Sequence, residues 1–147
     1  MTDSQPELDL LTQAAQSDPE NSVLQIAAAY ALDSFGFEEQ AIGFYDRAYL
    51  LGPPSEERPD FLLGYGSTLK NVGRLEESEA VLAAAVEEFP EHQALPVFLA
   101  LTQFKLGKAN LALSAMLQHL LHCAPNATQL QSYQAAIQEY AQELQSA

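Results

Sequence analysis

The chain has 147 residues, enough for one domain with a sizeable core, and a formal net charge of −14 set by 20 acidic against six basic residues. That balance repels phosphate backbones and anionic membrane surfaces, and no lysine or arginine stripe offsets it, so no nucleic-acid or membrane partner is expected. No apolar run is long enough to span a bilayer, and nearly half the residues are hydrophobic, which argues against disorder.

The opening segment, MTDSQPELDLLTQ, is acidic and lacks the basic-then-apolar order of a secretory signal. With a single cysteine, Cys123, no internal disulfide can form, and the expectation is a cytoplasmic protein in a reducing compartment. Apolar periodicity and breakers predict helices near 5–17, 21–35, 38–51, 58–72, 75–88, 93–106, 109–123 and 127–145.

Prolines at 19, 53, 90 and 125 are spaced by 34, 37 and 35 residues, and glycines at 36, 73 and 107 by 37 and 34. Both markers keep a period near 34, a helix-turn-helix repeat length. The three extra residues fall in the PPSEERP loop at 53–59, where an insertion costs little. Phases agree as well. Pro19 is preceded by Ala14 and Leu11, Pro53 by Ala48, Tyr45 and Ala41, and Pro90 by Ala85, Leu82 and Ser78. Ala112 and Met116 match ahead of Pro125, with His119 in the place of a small residue. Ala29, Gly66 and Ala100 stand where two helices must approach closely.

In the middle period, Leu62, Tyr65, Leu69 and Val72 form one apolar stripe, and Leu75, Leu82, Ala85 and Val86 form the facing one. Gly73 falls where a helix ends on a left-handed residue, and EESE at 76–79 sets negative charge in the next helix's first turn. In the last segment, Leu130, Tyr133, Ile137, Tyr140 and Leu144 make a stripe able to seal the open end of a stack.

These spacings resemble the tetratricopeptide repeat, with three full units at about 22–55, 59–92 and 93–126, and the resemblance covers essentially the whole chain. The aromatic slot holds Gln25, Leu62 or Pro96 and the tyrosine slot Leu32, Leu69 or Gln103, so spacing carries the likeness more than identity. The resemblance implies an all-α, right-handed solenoid of antiparallel helix pairs. It would be a single domain over 1–147 with a flanking helix at 5–17 and a capping helix at 127–145. It also implies a concave face showing Val23, Ile26, Tyr30 and Asp33, then Leu63, Ser67 and Lys70, then Val97, Leu101 and Phe104. Some relatives clamp the acidic C-termini of chaperones with Lys, Arg and Asn there. Here Lys70 is nearly alone, and the expectation is an apolar groove rimmed by acid that takes a peptide or amphipathic helix with basic flanks.

Candidate chemistry is sparse. His119 and His122 share a helix face near Cys123, but no further ligand completes a tetrahedral site. No phosphate loop, nucleophile elbow or helical His-Glu-His pair occurs, and NAT at 126–128 reads as a helix start. No cofactor, metal or enzymatic site is expected. The favoured role is a protein-binding scaffold. Alternatives are a type III secretion-type chaperone, which small acidic three-repeat proteins resemble, and a self-assembling homodimer. After Lys108 the chain has no lysine or arginine and only Glu139 and Glu143 as acids. ANLALSAMLQHLLHC is apolar around most of its circumference. Leu113, Met116, Leu117 and Leu120 are expected on the preceding helix. Leu111 and Leu121, with Tyr133, Ile137 and Tyr140 of the cap, are left for self-association.

Overall fold

The computed structural model describes residues 5–147, and the first four residues of the acidic opening segment and of the expected single domain lie outside it. The described chain is helical throughout, with no strand: α1 (Gln5–Ser17), α2 (Ser22–Ser34), α3 (Glu38–Leu51), α4 (Arg58–Asn71), α5 (Leu75–Glu88), α6 (Leu95–Lys105), α7 (Ala109–Cys123), α8 (Thr128–Ser132) and α9 (Gln134–Ser146). It forms two compact units, the first ending at Arg74 and the second Leu75–Ala147.

The period markers act as helix stops. Gly36, Gly73 and Gly107 take φ of 79°, 85° and 79°, a region closed to most side chains. Each closes the same pair of bonds. Behind Gly73, Arg74 N–H reaches Leu69 O at 2.9 Å while Gly73 N–H reaches Lys70 O at 3.2 Å. Phe37 to Leu32 and Lys108 to Gln103 repeat the longer bond at 2.9 Å. This is the Schellman arrangement, which satisfies the last carbonyls of a helix and turns the chain back on itself. Ala29, Gly66 and Ala100, the small residues expected at close approaches, are all buried.

In the first unit, α1 buries Leu8 and Ala15. Gln25 stands where the repeat pattern has an aromatic, and it is buried because its amide donates to Ala15 O at 2.7 Å. Asn21 caps α2 by accepting from Leu24 N–H. The core follows the repeat phase: Ala28, Ala29 and Leu32 of α2, and Ala41, Tyr45 and Ala48 of α3, are almost completely buried. From α4, Phe61 and Tyr65 pack on Tyr45 with centroids 5.7 and 5.9 Å away. Asp46 ties α3 to the chain beyond α4, accepting from Tyr65 at 2.7 Å and pairing with Arg74 at 2.8 Å.

In the second unit, α5 buries Ser78, Leu82 and Ala85, and α6 buries Leu95, Ala100, Thr102 and Gln103. The buried Ser78 and Thr102 hydroxyls satisfy each other at 2.9 Å, and Lys108 pairs with Glu79 at 2.7 Å. α6 begins at Leu95 rather than 93, because His92 Nδ1 accepts from Leu95 N–H at 3.3 Å and caps the helix there. From α7, Ser114 is fully buried and donates to Ala141 O of α9 at 2.6 Å.

Three expectations for this unit are corrected. The single capping helix over 127–145 is instead α8 and α9, broken at Tyr133, whose N–H closes a turn on Leu130 O. The break lets α9 run along α7 while α8 stays by the preceding loop, where Gln131 donates to Pro125 O. The sealing stripe is also rotated. Ala141 is the residue α9 buries, with Ile137 and Leu144 half-buried, and Tyr133 and Tyr140 stand in solvent. On α7, Leu113 and Leu120 are exposed rather than packed on the preceding helix, while Met116 and Leu117 are half-buried.

Candidate interaction clefts

Each unit carries an open cleft lined by residues singled out in the sequence. In the first unit, Val23, Ile26, Ala27 and Tyr30 of α2 floor a cleft of about 400 Å³, and Glu56, Glu57 and Asp60 form its rim. Tyr30 is 36% exposed and leans on Tyr45 with centroids 6.0 Å apart, so one edge is packed and the other open. Burial first, then the Glu57 and Asp60 carboxylates, push its phenol up to about 12. The same negative field favours any cation seated there.

Three more expected groove residues, Leu63, Ser67 and Lys70 of α4, are half-buried and lie outside this cleft. Asp33 was expected on the open face. Its Oδ2 instead accepts from Tyr45 at 3.0 Å and lies 3.1 Å from the Thr68 hydroxyl, which fastens α2, α3 and α4 together.

In the second unit, Val97, Ala100, Leu101 and Phe104 of α6 meet Ala109, Ala112, Leu113 and Met116 in a cleft of about 370 Å³. Its lining is wholly apolar. Leu101, Phe104 and Leu113 are 47%, 66% and 52% exposed. A third, wider cleft lies between α7 and α9, with Gln118, Leu121 and His122 facing Gln134, Gln138, Gln142 and Gln145. The residues expected in self-association divide here. Leu121 and Ile137 are half-buried, whereas Leu111, Tyr133 and Tyr140 are exposed.

Sequence reasoning expected an acidic rim without naming Glu56, Glu57 and Asp60 as its residues, and it missed the α7 wall. The rim sits in and just after the three-residue insertion of the repeat, so the insertion itself was the available signal. Ala112 and Met116 fall in the phase of Ala41 and Tyr45, which sit under a following helix. Nothing in a period states that a following helix will arrive.

His119 and Cys123 touch through Nε2 and Sγ at 3.4 Å on the surface of α7. Among the described residues no group of three or more His, Cys, Asp or Glu is arranged to hold a metal ion, and no helix is long and apolar enough to cross a membrane.

The family model for the tetratrico peptide repeat matches residues 22–144. The chain belongs to the tetratricopeptide repeat family. The match runs from the start of α2 into α9, in keeping with the helix pairs and glycine stops described above. The fold is also that of YrrB, described as a TPR protein with an unusual peptide-binding site, at a TM-score of 0.71 and 19% identity. That likeness covers 98% of this chain and 66% of YrrB, so the chain spans less than two thirds of its length. No curated protein sequence matches the chain.

Proposed function

We propose that this tetratricopeptide repeat protein is a non-catalytic interaction module, and that the first-unit cleft docks a peptide or helix with an apolar side chain next to a basic one. The observation that carries the reading is the pairing of an apolar floor, Val23, Ile26 and Tyr30, with a rim of Glu56, Glu57 and Asp60. An apolar side chain seated on that floor is removed from water, while a flanking lysine or arginine meets three carboxylates. Leu63, Ser67 and Lys70 remain part of the proposed surface as further contacts on α4. Val97, Leu101 and Phe104, also expected on the groove, line the second unit's own cleft and are not part of this surface. The net charge of −14 favours a basic protein partner over nucleic acid. A cytoplasmic setting stays part of the reading and rests on the single cysteine.

Selection from a displayed random peptide library tests it. Enriched peptides should carry an apolar residue beside lysine or arginine, and their affinity should fall as salt is added. In the Glu56→Lys, Glu57→Lys double variant the same peptides should bind about 10-fold or more weakly. Enrichment of peptides without basic residues, or equal affinity for the charge-reversed variant, overturns the reading.

A further inference from the structure

The second-unit cleft occupies the place in the repeat where the first unit puts a helix. A shift of 71 residues carries Gly36 to Gly107, and with it Ala41 to Ala112 and Tyr45 to Met116. In the first unit, Ala41 and Tyr45 are buried and Phe61 and Tyr65 of α4 lie on the Tyr45 ring. Beyond the three-residue insertion at 53–59 the shift is 68, which sends Phe61 to Gln129 and Tyr65 to Tyr133; neither lines this cleft, and Tyr133 stands 67% exposed. α9 instead follows the side of α7 that carries Ser114, Gln118 and His122. The face made by Ala112, Leu113 and Met116 stays open.

We infer that the occupant of this cleft is a second copy of the same chain, related by a twofold axis through the α6–α7 face. Two independent features select a copy over a foreign partner. The first is shape. The floor is alanine, at positions 100, 109 and 112, and beside it stand the exposed side chains of Phe104 and Leu113. A twofold axis sets the projecting residues of each copy over the alanines of the other, a self-complementary contact that needs no additional component. The second is charge. Two bodies of charge −14 repel each other unless they meet where the charge is absent. Residues 92–147 carry two lysines and two glutamates, so the whole excess lies in the first 91 residues, and no acid occurs from 92 to 138. Of the two lysines near the cleft, Lys108 is already paired with Glu79. The α6–α7 face is both apolar and neutral, the one combination that lets like-charged copies come together.

Sedimentation equilibrium over low to high micromolar concentration, on the full chain, tests this. The mass should rise to roughly twice 16.0 kDa. Added salt should tighten the association, because it screens repulsion between the acidic bodies and leaves the apolar contact intact. Leu113→Glu should weaken the dimer by at least about 100-fold, since the twofold axis introduces each charge twice. Phe104→Glu should do the same, and because that side chain is mostly in solvent it keeps the test valid if Leu113→Glu loses helical circular dichroism. Leu111→Glu and Tyr140→Glu, outside the cleft, should leave the dimer intact. A monomer at every concentration, a dimer indifferent to both cleft substitutions, or one lost through Leu111 or Tyr140 overturns the proposal. Peptide binding at the Tyr30 cleft is read separately, so either reading can fail alone.

Discussion

The Tyr45 hydroxyl donates to Oδ2 of Asp33 across 3.0 Å, and this bond joins the two helices of the first repeat at the point where α4 crosses them. Thr68 Oγ1 lies 3.1 Å from the same oxygen and 2.9 Å from Gly64 O, sharing one proton between two acceptors. Tyr45 itself is almost fully buried, with aromatic neighbours in Tyr30, Phe61 and Tyr65. A buried hydroxyl bonded to a carboxylate contributes more than an ordinary hydrogen bond. Tyr45→Phe should therefore lower stability by about 1–3 kcal/mol with the fold intact. Urea denaturation measures it, and an unchanged midpoint would show that the bond is not made in solution.

The same hydroxyl sets the fate of Gly64. A Cβ placed there would stand 2.8 Å from Tyr45 Oη but 3.5 Å from the ring carbon that bears it, so only the oxygen is in the way. That oxygen cannot swing aside, because the ring is packed and Asp33 holds it. Gly64→Ala should cost about 1–3 kcal/mol in the wild-type chain. In the Tyr45→Phe background it should be neutral or stabilising, since alanine favours helix over glycine by about 1 kcal/mol. A double-mutant cycle with no coupling between the two positions would refute this account.

Two other glycines should respond in opposite directions. Gly43 lies within α3, exposed, and a methyl group added there would meet nothing within 4 Å, so Gly43→Ala should stabilise by about 0.5–1 kcal/mol. Gly73 has equally open space but φ of 85°, and Gly73→Ala should destabilise by about 1–2 kcal/mol through backbone strain alone. Thermal midpoints that move the same way for both would contradict the helix-stop role of Gly73.

Alkaline pH should report on the partly covered phenol of Tyr30 and the buried one of Tyr45. Burial is the leading cause for both, aided by Glu57 and Asp60 at Tyr30 and by Asp33 at Tyr45. Tyr30 is held up to about 12 and Tyr45 well above the phenol range. In the unfolded chain both ionise near the ordinary 10.0. Above that pH the unfolded state binds fewer protons than the folded one, so stability falls as pH rises; below it the two states bind alike and stability is flat on this account. Tyrosinate absorbance in native protein should show Tyr30 and Tyr45 titrating late. A single transition of all six near 10 in the folded protein would rule out the buried setting.

How far the sequence carries can be followed residue by residue. Gly73 and its partners mark helix ends because a left-handed backbone is a local requirement, and local requirements are written in the residue itself. Ala41, Tyr45 and Ala48 are recognisable as core because their spacing repeats. Val23, Ile26 and Tyr30 were expected on an open face only through the family resemblance. Asp33 was not legible, since its partners Tyr45 and Thr68 are 12 and 35 residues away and no period connects them. Nor were Leu113 and Leu120, whose exposure depends on where α9 docks. That placement follows from a turn at Tyr133 and a hydroxyl at Ser114, both ordinary in composition.

The C-terminal helices provide the last test. Ser114 is fully buried and reaches Ala141 O at 2.6 Å, while Leu121 and Gln118 of α7 face α9. Removing residues 128–147 would expose that side of α7 beside the already open Ala112, Leu113 and Met116 face. α7 would then be apolar and uncovered on two sides, with no acid in it to keep chains apart. The truncated chain should therefore aggregate at concentrations where the full chain is soluble, as light scattering after size exclusion would read. Ser114→Ala in the full chain should be milder, a loss of about 1 kcal/mol without aggregation, because the helix contact persists and one bond is lost. A truncated chain that stays dispersed and unfolds at the full chain's urea midpoint would mean that α9 adds nothing to the second unit's core.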